Sequence, residues 1–191
     1  HISDSYFNSD FWYRKEFDIR KTDGKRMFLE FDGINWKAEV YFNGAYLGCI
    51  KGAFTRGRFD ISKLATDGIN TLAVKIIKNA NIGAVKEKNE ENTGINGGIL
   101  GADNPTFHAS IGWDWISTIR GRNIGIWNDV RIVEEGPVSL KDPFVNTDLP
   151  EIVSWNDVIE GVDTTSAVLI PEVYVRNNDD KPICGVLKGF V

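Results

Sequence analysis

Strand signals run from one end of this chain to the other, and no segment sustains the apolar period of an amphipathic α-helix. Short β-favouring runs bounded by turn residues recur at Trp12–Ile19, Met27–Asp32, Ala38–Phe42, Arg58–Ile61, Asn70–Ile77 and Trp127–Val133. Asn43-Gly44 is the strongest hairpin signal, joining Val40–Phe42 to Tyr46-Leu47. A two-residue primed turn needs positive φ at both central positions, which Asn and Gly tolerate. Alternation in Ala38–Phe42 and Leu72–Ile76 predicts one buried face per strand. Ser62–Ala65 is expected to form a single helical turn. Many short strands with few helices predict an all-β chain built as a sandwich or jelly roll.

The 191 residues suffice for one well-buried β domain with material left over for part of another. A formal charge of −5 argues against a nucleic-acid or anionic-membrane partner. No apolar run approaches the roughly 20 residues of a membrane-spanning helix. Cys49 and Cys184 stand far apart and predict free, partly buried thiols, not a disulfide framework or a metal site. No clustered oxygen-ligand motif occurs, so neither metal nor cofactor is expected. From Asn79 to Pro105 the chain is polar and glycine-rich, which predicts a structureless rim loop with a mobile middle. A domain boundary is expected near Glu134–Pro137. Beyond it, Pro143–Thr147, Ser166–Val175 and Ile183–Val191 read as three more strands, with a turn at Asn177–Asp180. Three are too few to close a sandwich of about seven strands. The expected organisation is a domain over 1–135 and a truncated one over 136–191, within a longer polypeptide.

The chemistry concentrates in Ile111–Ile116 and Arg120–Trp127, which hold three of the six tryptophans, a carboxylate and two arginines. Asp114 stands between Trp113 and Trp115. Indole faces suit the apolar C–H surface of a pyranose, and a carboxylate can accept strong hydrogen bonds from two hydroxyls. The same spacing along a strand would send both tryptophans into a core and leave Asp114 on the solvent face. Residues alone leave both readings open.

The series Trp12–Phe17, Leu29–Trp36, Ala38–Gly44, Leu47-Gly48, Phe59–Ile61 and Gly68–Val74 resembles the N-terminal sugar-binding domain of glycoside hydrolase family two. The likeness resumes at Gly112–Trp115 and Gly125–Val130 and covers most of residues 10 to 133. The paired Trp-Asp-Trp resembles the β-mannosidase and exo-β-glucosaminidase branches more than the β-galactosidase one. Residues 138–191 are similar to the start of the family's immunoglobulin-like second domain. The resemblance implies a galactose-binding-like jelly-roll β-sandwich followed by the start of an immunoglobulin-like sandwich. Family domains usually carry another strand before the Trp12 region, so the first strands are expected to be incomplete, and the resemblance also implies packing against a catalytic (β/α) barrel. Both catalytic glutamates of the family lie on that barrel, so no catalytic residue is expected here. Nor does the chain place two carboxyls together, as glycoside hydrolysis requires.

By resemblance, Asp114 matches the aspartate that reaches the barrel and binds hydroxyls of the terminal sugar. Trp113 and Trp115 flank it, one lining the pocket and one packing in the sandwich. Asn104 and His108 lie just upstream as further substrate contacts, against turn-capping and structural alternatives. Arg120 and Arg122 would suit an anionic substrate, or anchor a loop or the barrel interface. Trp127 matches a core-facing tryptophan, while Asp32, Asp60 and Asp67 are expected at turns and strand ends. Three roles compete: an accessory wall of a family-two exo-glycosidase pocket, an independent carbohydrate-binding module, and a structural interdomain sandwich. The expected partners are a carbohydrate with a terminal β-linked gluco- or manno-configured sugar, and the barrel. Family likeness suggests an extracytoplasmic location.

Overall fold

The computed structural model describes residues 4–84, 99–102, 123–149 and 166–190. The described chain is all-β apart from one 3-10 turn at Asp4–Phe7. It divides into two compact units, His1–Glu134 and Glu135–Val191.

In the first unit, β1 (Phe11–Ile19), β7 (Gly68–Ile76), β4 (Lys37–Phe42) and β5 (Ala45–Lys51) form one antiparallel sheet in that order. A second sheet has the order β11-β2-β6, from Val130–Glu135, Arg26–Phe31 and Gly57–Asp60. Short ladders pair β3 (Ile34–Asn35) with β10 (Gly125–Ile126), and β8 (Ile82–Ala84) with β9 (Ile99–Ala102). The core is the set of inward side chains that strand alternation selects. Ala38, Val40 and Phe42 of β4 meet Leu72, Val74 and Ile76 of β7, with Met27, Leu29 and Phe31 of β2 in the same cluster. Each fully buried large apolar side chain contributes about 1.5–3 kcal/mol relative to its exposed state. β2 departs from alternation at Phe28. This ring faces away from Leu29 yet is buried, because the Arg58 guanidinium lies 3.7 Å over its centroid and Arg58 pairs with Glu30 at 2.8 Å.

The expected hairpin forms as anticipated: Asn43 and Gly44 have φ of 48° and 81°, and Phe42 pairs with Ala45. The Asn43 carboxamide then ties the turn to the neighbouring strand, accepting from the Thr71 amide at 2.8 Å and donating to Asn70 Oδ1 at 2.8 Å. Asn70 is itself buried and holds the Thr66–Gly68 turn through its own amide, at 2.7 Å to Thr66 O and 2.8 Å to Gly68 O. The helical turn at Ser62–Ala65 is present, closed by Ala65 N donating to Ile61 O at 2.8 Å.

Four expectations need correction. The Asn79–Pro105 stretch is not structureless, because its two ends pair as β8 and β9. The run Trp127–Val133 is not one strand: Trp127–Asp129 link β10 to β11, and only Val130–Val133 is strand, within β11. Between them Trp127 N donates to Gly33 O and Asp129 O accepts from Asp32 N, so the chain changes partner from β3 to β2. Residues 183–190 carry no strand, since β character requires a ladder partner and none pairs with them among the described residues. Both cysteines are free as expected, but they are exposed rather than partly buried.

The second unit is built on the antiparallel pair β12 (Val138–Asp148) and β13 (Val168–Asn177). A register shift between Lys141 and Phe144 accompanies Asp142 at φ 47° and the adjacent Pro143, which cannot donate to a ladder. Buried Asn178 donates to Gly136 O at 3.0 Å and Ser139 Oγ at 3.2 Å, and Asn177 caps the turn that follows by accepting from Asp179 N.

Candidate functional site

Asn104, His108, Trp113, Asp114, Trp115, Arg120 and Arg122 all lie outside the described residues. What the structure gives is the frame on both sides of that segment. Upstream it leaves β9, held to β8 by the Ile82–Ala102 pairing. Downstream the chain returns at Asn123, whose φ is 52°, and runs into β10. The buried Asn35 side chain donates to Asn123 O at 2.9 Å, while Asn35 and Ile34 pair with Gly125 and Ile126. Gly125 has φ 136°, and a Cβ there would stand 2.7 Å from the Tyr13 hydroxyl, so no other residue fits without displacing Tyr13.

Trp127 fixes the next step. Family likeness predicts a core-facing ring, but the side chain is 50% exposed. It lies across the backbone of Gly33, donates its indole N–H to Ala53 O at 2.8 Å, and meets Phe54 edge-on at 5.8 Å. The ring therefore packs on a turn at the edge of the sandwich rather than between its sheets. An indole N–H taken partly out of water needs an acceptor, and here the Ala53 carbonyl at that edge supplies it. Phe54, 72% exposed, went unnoticed in the sequence because a lone aromatic in the Gly52–Thr55 turn carries no periodic signal. At the same crossover, Arg131 holds Asp32 at 2.6 Å and also reaches Asp129 at 3.6 Å. Asp32 is thus a structural anchor at the crossover, and Asp67 accepts the Lys21 amide at 2.7 Å in a comparable linking role. Asp60 sits at the end of β6, accepting from the Ser62 amide at 2.9 Å and pairing with Arg26 at 3.2 Å.

A cleft of about 520 Å³ opens between Tyr13, Phe17, Leu72 and Val74 on one side and Ile126, Val130 and Ile132 on the other. Arg14, Lys15 and Arg131 also line it, and no carboxylate is among the described residues lining it, so it lacks the pair of carboxyls that glycoside hydrolysis uses. Among the described residues no three His, Cys, Asp or Glu side chains gather as metal ligands.

Comparison with known proteins identifies this frame. The glycosyl hydrolase 2 galactose-binding domain-like profile matches residues 3–128. A mannosylglycoprotein endo-β-mannosidase from Lilium longiflorum is 37% identical over 135 residues, covering 69% of this chain and 14% of that protein. An exo-β-D-glucosaminidase from Streptomyces avermitilis is 28% identical over 191 residues, covering 97% of this chain and 17% of that protein. The solved exo-chitosanase of Amycolatopsis orientalis superposes with a TM-score of 0.64 at 25% identity, over 93% of this chain and 17% of that one. The chain thus spans roughly a sixth of the length of these relatives. With the profile running from the first strand through the crossover at Trp127, this chain belongs to glycoside hydrolase family two, through its galactose-binding-like domain.

Proposed function

We propose that this chain is a non-catalytic wall of a family-two exo-glycosidase, lending substrate-binding residues to a catalytic (β/α) barrel on the same polypeptide. The observation that carries this is the frame around residues 103–122. The chain enters the segment from one ladder and leaves it into another, with Asn35 and Trp127 fixing the return. Such anchorage is what a wall contributing side chains to a neighbouring domain requires, since positioning errors of about 1 Å cost much of a contact's effect. The names of the relatives, an endo-β-mannosidase and exo-β-glucosaminidases, favour a β-linked gluco- or manno-configured sugar. In this reading Asp114 accepts from two hydroxyls of the terminal sugar and Trp113 or Trp115 stacks on its ring. Asn104 and His108 add hydrogen bonds from the rim, and Arg120 and Arg122 anchor the segment or meet an anionic group. The location is extracytoplasmic, by family likeness.

The second unit is the start of an immunoglobulin-like sandwich. Leu140, Phe144, Tyr174 and Val175 are more than half exposed on its two-stranded sheet. A two-stranded hairpin is at best marginally stable alone, so these side chains call for further strands.

The test is Asp114→Ala in the full polypeptide. Losing one or two charged hydrogen bonds removes about 1.5–4 kcal/mol of transition-state binding, so kcat/KM should fall roughly 10- to 1000-fold with Tm unchanged. A well-folded variant with normal kcat/KM on β-mannoside and β-glucosaminide substrates overturns the role.

A further inference from the structure

The solvent face of the four-stranded sheet carries aromatic rings that take no part in the core. Even-numbered residues of β1 and their register partners point outward, which puts Trp12 beside Lys75, Arg14 beside Ala73, and Tyr41 beside both Ala73 and Tyr46. Three aromatic rings cross this face diagonally. Trp12 and Tyr41 have centroids 5.6 Å apart, and Tyr41 and Tyr46 5.3 Å. Trp12 and Tyr46 are each 57% exposed. Because β1 and β5 are the two edges of the sheet among the described residues, the stripe runs from one edge to the other and is open at both ends of that described sheet.

Polar groups border the stripe, and several are paired with one another. Lys75 holds Asp10 at 3.1 Å, Arg14 pairs with Glu16, and the Tyr41 hydroxyl donates to Glu39 at 3.0 Å. The face therefore presents aromatic rings bordered by hydrogen-bonding groups of both charges. A protein interface core would instead be depleted in charge and contiguous in apolar surface. Ala73 stands in register between Arg14 and Tyr41, its small side chain leaving room for the Trp12 and Tyr41 rings to meet, and the outward aliphatic Ile69 stands farther along β7. A neutral glycan matches this pattern, since its C–H faces stack on rings while its hydroxyls bond the flanking groups.

We propose that the Trp12–Tyr41–Tyr46 stripe is a binding face for a single chain of neutral polysaccharide lying across β1, β7, β4 and β5. The open ends suit a polymer rather than a monosaccharide. The rings are tilted by 42° and 54° from one another, so they do not make the flat platform that a crystalline polysaccharide surface needs. They fit a soluble chain whose successive sugar rings turn.

The inference stands apart from the role of Asp114, and the experiment keeps them separate. Affinity electrophoresis of the full polypeptide through soluble konjac glucomannan and hydroxyethyl cellulose measures the interaction, in an Asp114→Ala background so that pocket binding contributes least. Retardation by at least one polymer is expected, weakened tenfold or more in Trp12→Ala/Tyr46→Ala at unchanged Tm. Tyr46→Ala alone provides the same reading should the double variant not fold. No retardation by either polymer overturns the proposal, as does equal retardation of the folded variants. Tight sedimentation with microcrystalline cellulose overturns the single-chain geometry. Loss of a dimer in the variants, seen by light scattering, would show that the stripe contacts protein instead.

Discussion

Replacing Gly33 by alanine tests the frame that holds the candidate segment. A Cβ on Gly33 would stand 2.4 Å from Trp127 Cε2 and 2.6 Å from Cζ2 and Nε1, so the indole must move. Overpacking of this kind costs about 1–3 kcal/mol. Moving the ring also endangers the Nε1–Ala53 hydrogen bond, worth about 1 kcal/mol, and the edge contact with Phe54, worth about 0.5–1.5 kcal/mol. The expected total is about 2–5 kcal/mol, which for a domain of this size lowers Tm by roughly 10 °C. Circular dichroism melting of Gly33→Ala, Trp127→Leu and the double variant measures it as a cycle. The clashing atoms are absent from leucine, so Gly33→Ala should cost little in the Trp127→Leu background. Equal cost in both backgrounds, or a change in Tm of less than about 2 °C in the single variant, would refute the packing argument. If the segment acts as proposed, Gly33→Ala also lowers kcat/KM of the full polypeptide, since the return point of residues 103–122 shifts.

Asn70→Ala strips the Thr66 and Gly68 carbonyls of their donor, leaves Thr66 N without its side-chain acceptor and Asn43 Nδ2 with Leu64 O alone, so a loss of roughly 3 kcal/mol is expected in chemical denaturation. Gly44→Ala meets no atom within 4 Å, so its cost is backbone strain alone at φ 81°, about 1–2 kcal/mol; a neutral effect would refute the primed-turn assignment. Burial pushes the Asp60 carboxyl up, but the Ser62 hydroxyl and amide and the Arg26 guanidinium outweigh it, and its pKa falls below 3.8. A depressed folded pKa means its stabilisation is present above the unfolded value and lost as pH falls through the folded one. Asp60→Asn should therefore flatten the decline of Tm below about pH 4, and an unchanged acid limb would contradict the assignment. Asp10, held below the usual carboxylate range by the Lys78 amide and Lys75, should behave in the same direction.

Period and turn chemistry determined much of this protein directly from its sequence. Alternation in β4 and β7 specified which face is buried, because a one-residue slip would expose every core side chain. Asn43-Gly44 specified the hairpin because few other pairs tolerate positive φ twice. The spaced motifs also specified the family, since they record positions where backbone and core constraints coincide. Tertiary structure decided what depends on partners distant in the chain. The pairing of β8 with β9 joins two short segments that lack the length to announce themselves. The break at Trp127 arises because Gly33 and Asp32, some ninety residues earlier, offer the hydrogen bonds that turn the chain from one ladder to another. The placement of Trp127 at an edge rests on a glycine with no side chain and a backbone carbonyl at Ala53. The Trp12–Tyr41–Tyr46 stripe comes from the register of β1, β7, β4 and β5. Such contacts join residues far apart in sequence, and no local period encodes them.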